Sequence, residues 1–278
     1  MGRPVEKKRR GAAANDDLRH KALGPAAEQF GTELAKLEAG RTAAQIVQHA
    51  LRAIGAVVYC GSEVCEWLQR RLAEKLKDVP PEQLTSPDPR IAAPAIQALT
   101  YSMDDETIRE MYANLLATDM QVDGKQHSHP AFVEVIKQME PFDAKLLEIF
   151  RKDGSQIRFR AQVKEGGKSR DVGLGYSFDF DKDPATNLDN LERLALVERR
   201  VMEWPVMINL ESIEKEVRAS FCEIEKVLKD AELRKKNGFS DAATFFLKKE
   251  GLYLTAFGAS FVQACLPKAS PSSAAVSR

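Results

Sequence analysis

The chain has no charge excess: 41 basic and 41 acidic residues cancel over 278 positions, so no global field draws it to nucleic acid or anionic lipid, and any such binding is local. It is poor in cysteine. Cys60, Cys65, Cys222 and Cys265 are scattered without paired metal-ligand spacing, and no secretory leader points to an oxidising destination. That pattern predicts a cytoplasmic chain with reduced thiols, each cysteine serving as a small buried hydrophobe. No apolar run reaches the roughly 20 residues of a spanning helix, because even "TAAQIVQHALRAIGAVVYCGS" at 42–62 contains His49, Arg52 and two glutamines. Catalytic signatures are missing as well. There is no Gly-x-Ser-x-Gly elbow and no Walker loop, and "VGLGYS" lacks both the third glycine and the following helix of a dinucleotide site. No internal repeat is visible. What is present is 44% apolar residues, enough for a real core in one large domain or two ordinary ones.

The ends are the least structured part of this reading. Residues 1–15, "MGRPVEKKRRGAAAN", are basic and then small, and 268–278 are Ser- and Ala-rich, so both are expected to be disordered tails. A first helical stretch at 16–38 precedes the stripe Ile46, Val47, Ala50, Ile54, Val57 and Val58, which reads as a core helix and secondarily as a membrane-surface helix. Helix continues through "EVCEWLQRRLAEKLKDV" until Pro80 and Pro81 stop it, and five prolines between 80 and 94 mark a connector before a short helix from "AIQALTYS".

The next stretch, "DDETIREMYANLLATDM", joins a cluster of acids to tightly spaced large side chains. Ser102 is placed to cap with Asp105, the acids favour the positive end of the helix dipole, and Ile108, Met111, Tyr112, Leu115 and Leu116 form one buried face. Asn114 falls at the edge of that face, where a half-buried amide needs a partner, here expected on a neighbouring helix or loop. Helices starting at Pro130 and Pro141 carry the faces Phe132, Val135, Ile136, Met139 and Phe142, Leu146, Leu147, Phe150. Their short connections predict antiparallel neighbours.

From 154 the periodicity changes to alternation around Gly166-Gly167, the pattern of a β-hairpin. A helix at 187–197, a strand in "WPVMINL", a long amphipathic helix through Ile213, Val217, Phe221, Ile224 and Leu228, and a short strand with a terminal helix in "GLYLTAFGASFVQACL" follow. The fold class predicted is mainly α: a helical domain at 16–153, then a winged-helix-like α+β module with a β-hairpin at 154–267.

Three groups of side chains could carry function. Asp119, Asp123, His127 and His129 resemble the donor set of a metal-dependent hydrolase, but the Asp123-Gly124 turn places them on a polar loop, so no metal ligand is assigned. His129, just before Pro130, is placed to cap the helix or, alternatively, to bind or transfer a proton. Arg158, Arg160, Lys164, Lys168 and Arg170 face a single acid, Glu165, across the hairpin and could lie on phosphates. The helix at 187–200 has three acids and three bases, which does not suit base reading.

Arg109-Glu110-Met111, Ala113-Asn114-Leu115-Leu116-Ala117 and Met120, then His129-Pro130, Phe132-Val133-Glu134, Lys137-Gln138 and Pro141, together resemble the abortive infection alpha family. The later "NLERLALV" and "LTAFGASF" resemble its C-terminal part, so the likeness runs over about 80–265. It implies a bacterial protein of phage defence that senses infection or blocks a host process. It carries no reaction, cofactor or catalytic set. Arg109, Asn114, His129, Glu134 and Lys137 are the polar motif residues it marks as candidates, and "LALV" at 194–197 departs from the "LGLI"-like turn usual there. The expectation is therefore a non-enzymatic defence protein without cofactor that meets a protein partner or a second copy of itself. A DNA-binding winged-helix regulator is the alternative from a different class.

Overall fold

The structure, a computed structural model, describes residues 43–53, 62–180, 182–201 and 210–267. The expected helix at 16–38, both tails and all of "WPVMINL" except Leu210 lie outside the described residues. The described residues fall into two compact units, one running from residue 43 to 138 together with 263–267, the other lying within residues 139–262.

The helical unit contains α1 (Ala43–Ala53), α2 (Ser62–Leu76), α3 (Pro89–Leu99), α4 (Glu106–Asp119) and α5 (Ala131–Lys137). Its centre is α4. The sequence predicts one apolar face, yet every residue from Met111 to Met120 is buried, so neighbours surround the helix on all sides and Asn114 lies inside and not at an edge. Leu68, Leu72 and Leu76 of α2 and Ile91, Ile96 and Leu99 of α3 supply fully buried neighbours, and α5 adds Phe132. The start of α4 also differs from expectation. Asp105 itself is the N-cap, accepting from the Ile108 amide at 3.1 Å, while the Ser102 hydroxyl turns back to the Ala98 carbonyl at the end of α3. The proline connector is shorter than predicted, because Asp88 caps Arg90 at 2.8 Å and Pro89 opens α3 six residues early. The remaining connector is strapped to the end of α4 by Thr85 N to Met120 O at 2.8 Å and Val122 N to Gln83 O at 2.9 Å.

The second unit is built on a four-stranded antiparallel sheet of order β2-β1-β4-β3, from β1 (Gln156–Glu165), β2 (Lys168–Tyr176), β3 (Val197–Val201) and β4 (Thr244–Leu254). Around it stand α6 (Pro141–Asp153), α7 (Ala185–Arg193), α8 (Leu210–Ser220), α9 (Cys222–Lys229), α10 (Ala231–Lys236) and α11 (Ala256–Cys265), whose last turn from Gln263 belongs to the helical unit. The hairpin turn sits at Gly166 and Gly167, both with positive φ, as a two-residue turn requires. One face of β1 presents Ile157, Phe159 and Ala161 to Val217 of α8 and Leu247 of β4. The expected long amphipathic helix is broken at Phe221, which leaves its helix to lie against the strands: its ring is 6.0 Å from Phe245. The strand expected at "GLYL" is the end of an eleven-residue β4.

The expectation of reduced, buried cysteines is corrected at two sites, Cys65 and the exposed Cys222. Cys65 is disulfide-bonded, whereas Cys222 and Cys265 are free. Complete burial pushes the Cys265 thiol well above its ordinary value. Among the described residues no helix is long and apolar enough to cross a membrane.

Candidate functional site

The polar motif residues of the helical unit are held in hydrogen bonds. Asn114 accepts from Lys75 Nζ at 2.6 Å through Oδ1 and donates through Nδ2 to the Cys265 carbonyl at 2.9 Å. One turn later the Thr118 hydroxyl donates to the Ala264 carbonyl at 3.1 Å. The last carbonyls of α11 have no partner within their own helix, so these two side chains of α4 act as its C-terminal cap. Lys75 also pairs with Glu110 at 2.8 Å, and Arg71 meets the same carboxylate at 2.6 Å. Although burial opposes it, hydrogen bonding to Arg71 and Lys75 holds the Glu110 carboxyl below its usual value.

Arg109 donates to the Met103 carbonyl at 2.8 Å, and its guanidinium lies 5.4 Å from the centre of the Trp67 ring. His129 caps α5: its Nδ1 accepts from the Ala131 amide at 3.1 Å. Glu134 and Lys137 pair with each other at 2.7 Å on the outside of α5.

Asp119, a member of the metal-like group, is only 2% exposed and accepts from the Asp88 amide and the Ser128 hydroxyl, both at 2.6 Å. Burial raises its pKa, against the pull of those two donors. It ties the connector and the loop after α4 together. Among the described residues no three His, Cys, Asp or Glu side chains gather into a possible metal site. Asn114 and His129 line different hollows, one of about 250 Å³ with Lys75, Thr118 and Gln121, the other of about 520 Å³ with Asp88, Arg90 and Ser128.

The basic hairpin is neutralised at its base. Arg158 is 4% exposed and directly opposite Glu250 in the β1–β4 register, to which its Nε donates at 2.9 Å. Arg160 reaches the same carboxylate and also Asp171, both at 3.2 Å. Both arginines are thus paired with carboxylates, and the acid facing Arg158 lies 92 residues away, where the sequence does not announce it. Arg170 sits 5.3 Å from the Phe239 ring centre, and Lys164 and Lys168 remain exposed near the turn. In α7, Asp189 and Glu192 both pair with Arg199.

Two hubs escaped the sequence. Asp143 is wholly buried and accepts from the Glu140 amide at 2.9 Å, Asn187 at 2.8 Å and Asn190 at 2.9 Å, joining α6 to α7. The second brings the two later motifs together. α7 ends with Ala195 at φ 57°, the Leu196 amide reaching the Leu191 carbonyl and the Ala195 amide the Glu192 carbonyl, each at 2.9 Å. Thr255 donates to the Ala195 carbonyl at 2.6 Å and accepts from the Gly258 amide at 2.8 Å, capping α11. A Cβ on Gly258 would stand 1.9 Å from the Leu196 carbonyl oxygen, so only glycine permits this approach. The glycine in "LTAFG" was a signal that could have pointed here.

Residues 61–265 match the family described as abortive infection alpha. No curated protein and no solved structure matches the chain.

Proposed function

Because the chain belongs to the abortive infection alpha family, we propose that it is a phage-defence protein that works by binding and not by catalysis. The observation that carries this reading is the state of the motif side chains. Asn114, Arg109 and Glu110 link helices or fasten loops, and His129 offers its Nδ1 to the Ala131 amide at the start of α5. A catalytic group is held in reach of a substrate and its pKa is tuned to a proton transfer; a side chain that closes a helix end is doing a different job. The second unit supports a winged-helix-like reading in its sheet, where β1, β4 and β3 lie side by side with α6 and α7 preceding β3. That likeness gives an interaction module and no reaction.

The test is a phage challenge of a bacterial host with and without the gene, scored as plating efficiency over a panel of phages. The reading predicts plating reduced by an order of magnitude or more for at least one phage, with H129A as protective as the unaltered chain. Equal plating across the panel contradicts a defence role, and loss of protection in a folded H129A contradicts the non-catalytic part.

A second reading, duplex DNA binding, now rests on Lys164 and Lys168 at the exposed hairpin end. It predicts binding at low salt that weakens when both become alanine, with a shallower salt slope.

A further inference from the structure

The second unit has a cleft of about 480 Å³ where the chain leaves β2, within the size range of ligand-binding pockets. Its wall is aromatic. Tyr176, Phe178 and Phe180 recur at every second residue, with ring centres 5.3 Å apart for the first pair and 5.7 Å for the next, and Phe142 backs Phe180 at 5.0 Å. Opposite stands α8, contributing Ile213, Val217 and Glu216. Gly175 lets the two sides approach, since a Cβ there would meet Val217 at 2.5 Å.

The charge of the lining is lopsided. Asp179, Asp183 and Glu216 contribute three carboxylates against one cation, Lys182. Lys182 turns away to Glu140 at 4.0 Å and to the face of Phe142 at 5.2 Å. Asp183 accepts from the Ala185 amide at the start of α7. Asp179 and Glu216 are exposed and form no ion pair among the described residues. The Tyr176 hydroxyl is buried without a hydrogen-bond partner among the described residues, which leaves one more acceptor or donor in the wall.

Aromatic faces beside unpaired carboxylates select a cation with an apolar stem. A guanidinium suits them better than an ammonium, because it is planar, weakly hydrated and stacks on rings while its edge donates to a carboxylate. The protein uses such stacking itself, with Arg218 5.2 Å from the Phe245 ring centre and Arg200 5.5 Å from that of Tyr253. The carboxylates repel phosphate, which excludes nucleic acid and anionic lipid headgroups as occupants. We propose that this cleft binds an arginine-bearing segment of a partner protein, with the guanidinium on the Tyr176–Phe178 wall and its charge met by Asp179 and Glu216. The proposal deepens the binding-protein reading and rests on it.

The probe is a fluorescein-labelled short peptide of alternating arginine and leucine, titrated with the purified full chain and followed by anisotropy. The same peptide with glutamine for arginine is the control. The arginine peptide is expected to bind at low salt and the glutamine peptide not to. The double variant D179N/E216Q, altered only at exposed side chains, should weaken binding by about tenfold or more, and F178A, with its fold checked by circular dichroism, should weaken it as well. K164A/K168A should bind within about twofold of the unaltered chain, since those lysines lie at the hairpin turn. No binding of the arginine peptide at low salt, or unchanged affinity in D179N/E216Q, overturns the proposal. If that happens while the chain still protects against phage, the cleft assignment fails and the defence reading stands. If the chain gives no protection, the defence reading fails whatever the peptide does.

Discussion

The side-chain amide of Asn114 donates to the main-chain carbonyl of Cys265 at 2.9 Å, across 151 residues of sequence. This bond caps the buried last turn of α11 with a side chain of α4, and Lys75 fixes the amide from the other side. Replacing Asn114 by alanine leaves that carbonyl without its donor and Lys75 with Glu110 alone. N114A should lose about 1–3 kcal/mol of stability, read from chemical denaturation of the purified chain. T118A, which removes the adjacent bond to Ala264, should lose about 0.5–1.5 kcal/mol.

Ala195 occupies a backbone conformation that glycine adopts freely, with φ 57°. A non-glycine residue there carries a steric cost of about 1–2 kcal/mol, partly offset by the lower entropy of the unfolded alanine chain. A195G should therefore raise stability by about 1 kcal/mol, a rise in melting temperature of about 2–4 °C for a chain of this size. A195V should move the melting temperature in the opposite direction.

These two positions show how far the sequence could be read. Helix starts at Pro141 and around Pro130 and the Gly166-Gly167 turn were legible because each is a local device, set by a proline's fixed φ or a glycine's freedom. The four-residue motif at 194–197 was legible as an irregularity, though not as a helix stop. Partners far along the chain were not legible. Nothing in "IRFRAQV" announces that Arg158 faces Glu250, because strand register is decided by the whole sheet. The burial of Asn114 was misjudged for a related reason: a helix covered by α2, α3, α5 and residues 264–265 reads, taken alone, like one covered on a single face.

The Arg158–Glu250 pair gives a pH-dependent prediction. Burial acts to raise the Glu250 carboxyl, but hydrogen bonding and charge from Arg158, with Arg160 behind it, hold it below its ordinary value of 4.5. A depressed folded-state value stabilises the fold at every pH above 4.5, and that contribution disappears as pH falls through the lower folded-state value. Above that range E250Q should be less stable than the unaltered chain by about 3–5 kcal/mol, the usual cost of leaving one charge of a buried pair alone. The gap should narrow as denaturation is repeated at progressively more acid pH. Replacing both residues by leucine should recover much of the loss.

Gly258 tolerates no side chain, because Leu196 presents its carbonyl where a Cβ would be. Backbone on backbone cannot yield as a flexible side chain does. G258A should destabilise by about 3 kcal/mol or more, the upper end of overpacking costs, and should separate α11 from the end of α7. Loss of amide protection at Gly258, whose N–H is held by Thr255, would report it in hydrogen exchange.

The claim at the centre of this account is that Asn114 builds the fold and takes no part in chemistry. Its most direct test is the plating efficiency of a phage restrained by the unaltered chain, on cells carrying N114A, at a temperature where circular dichroism shows the variant folded. Protection equal to that of the unaltered chain is the predicted result. A folded N114A that no longer protects would contradict it.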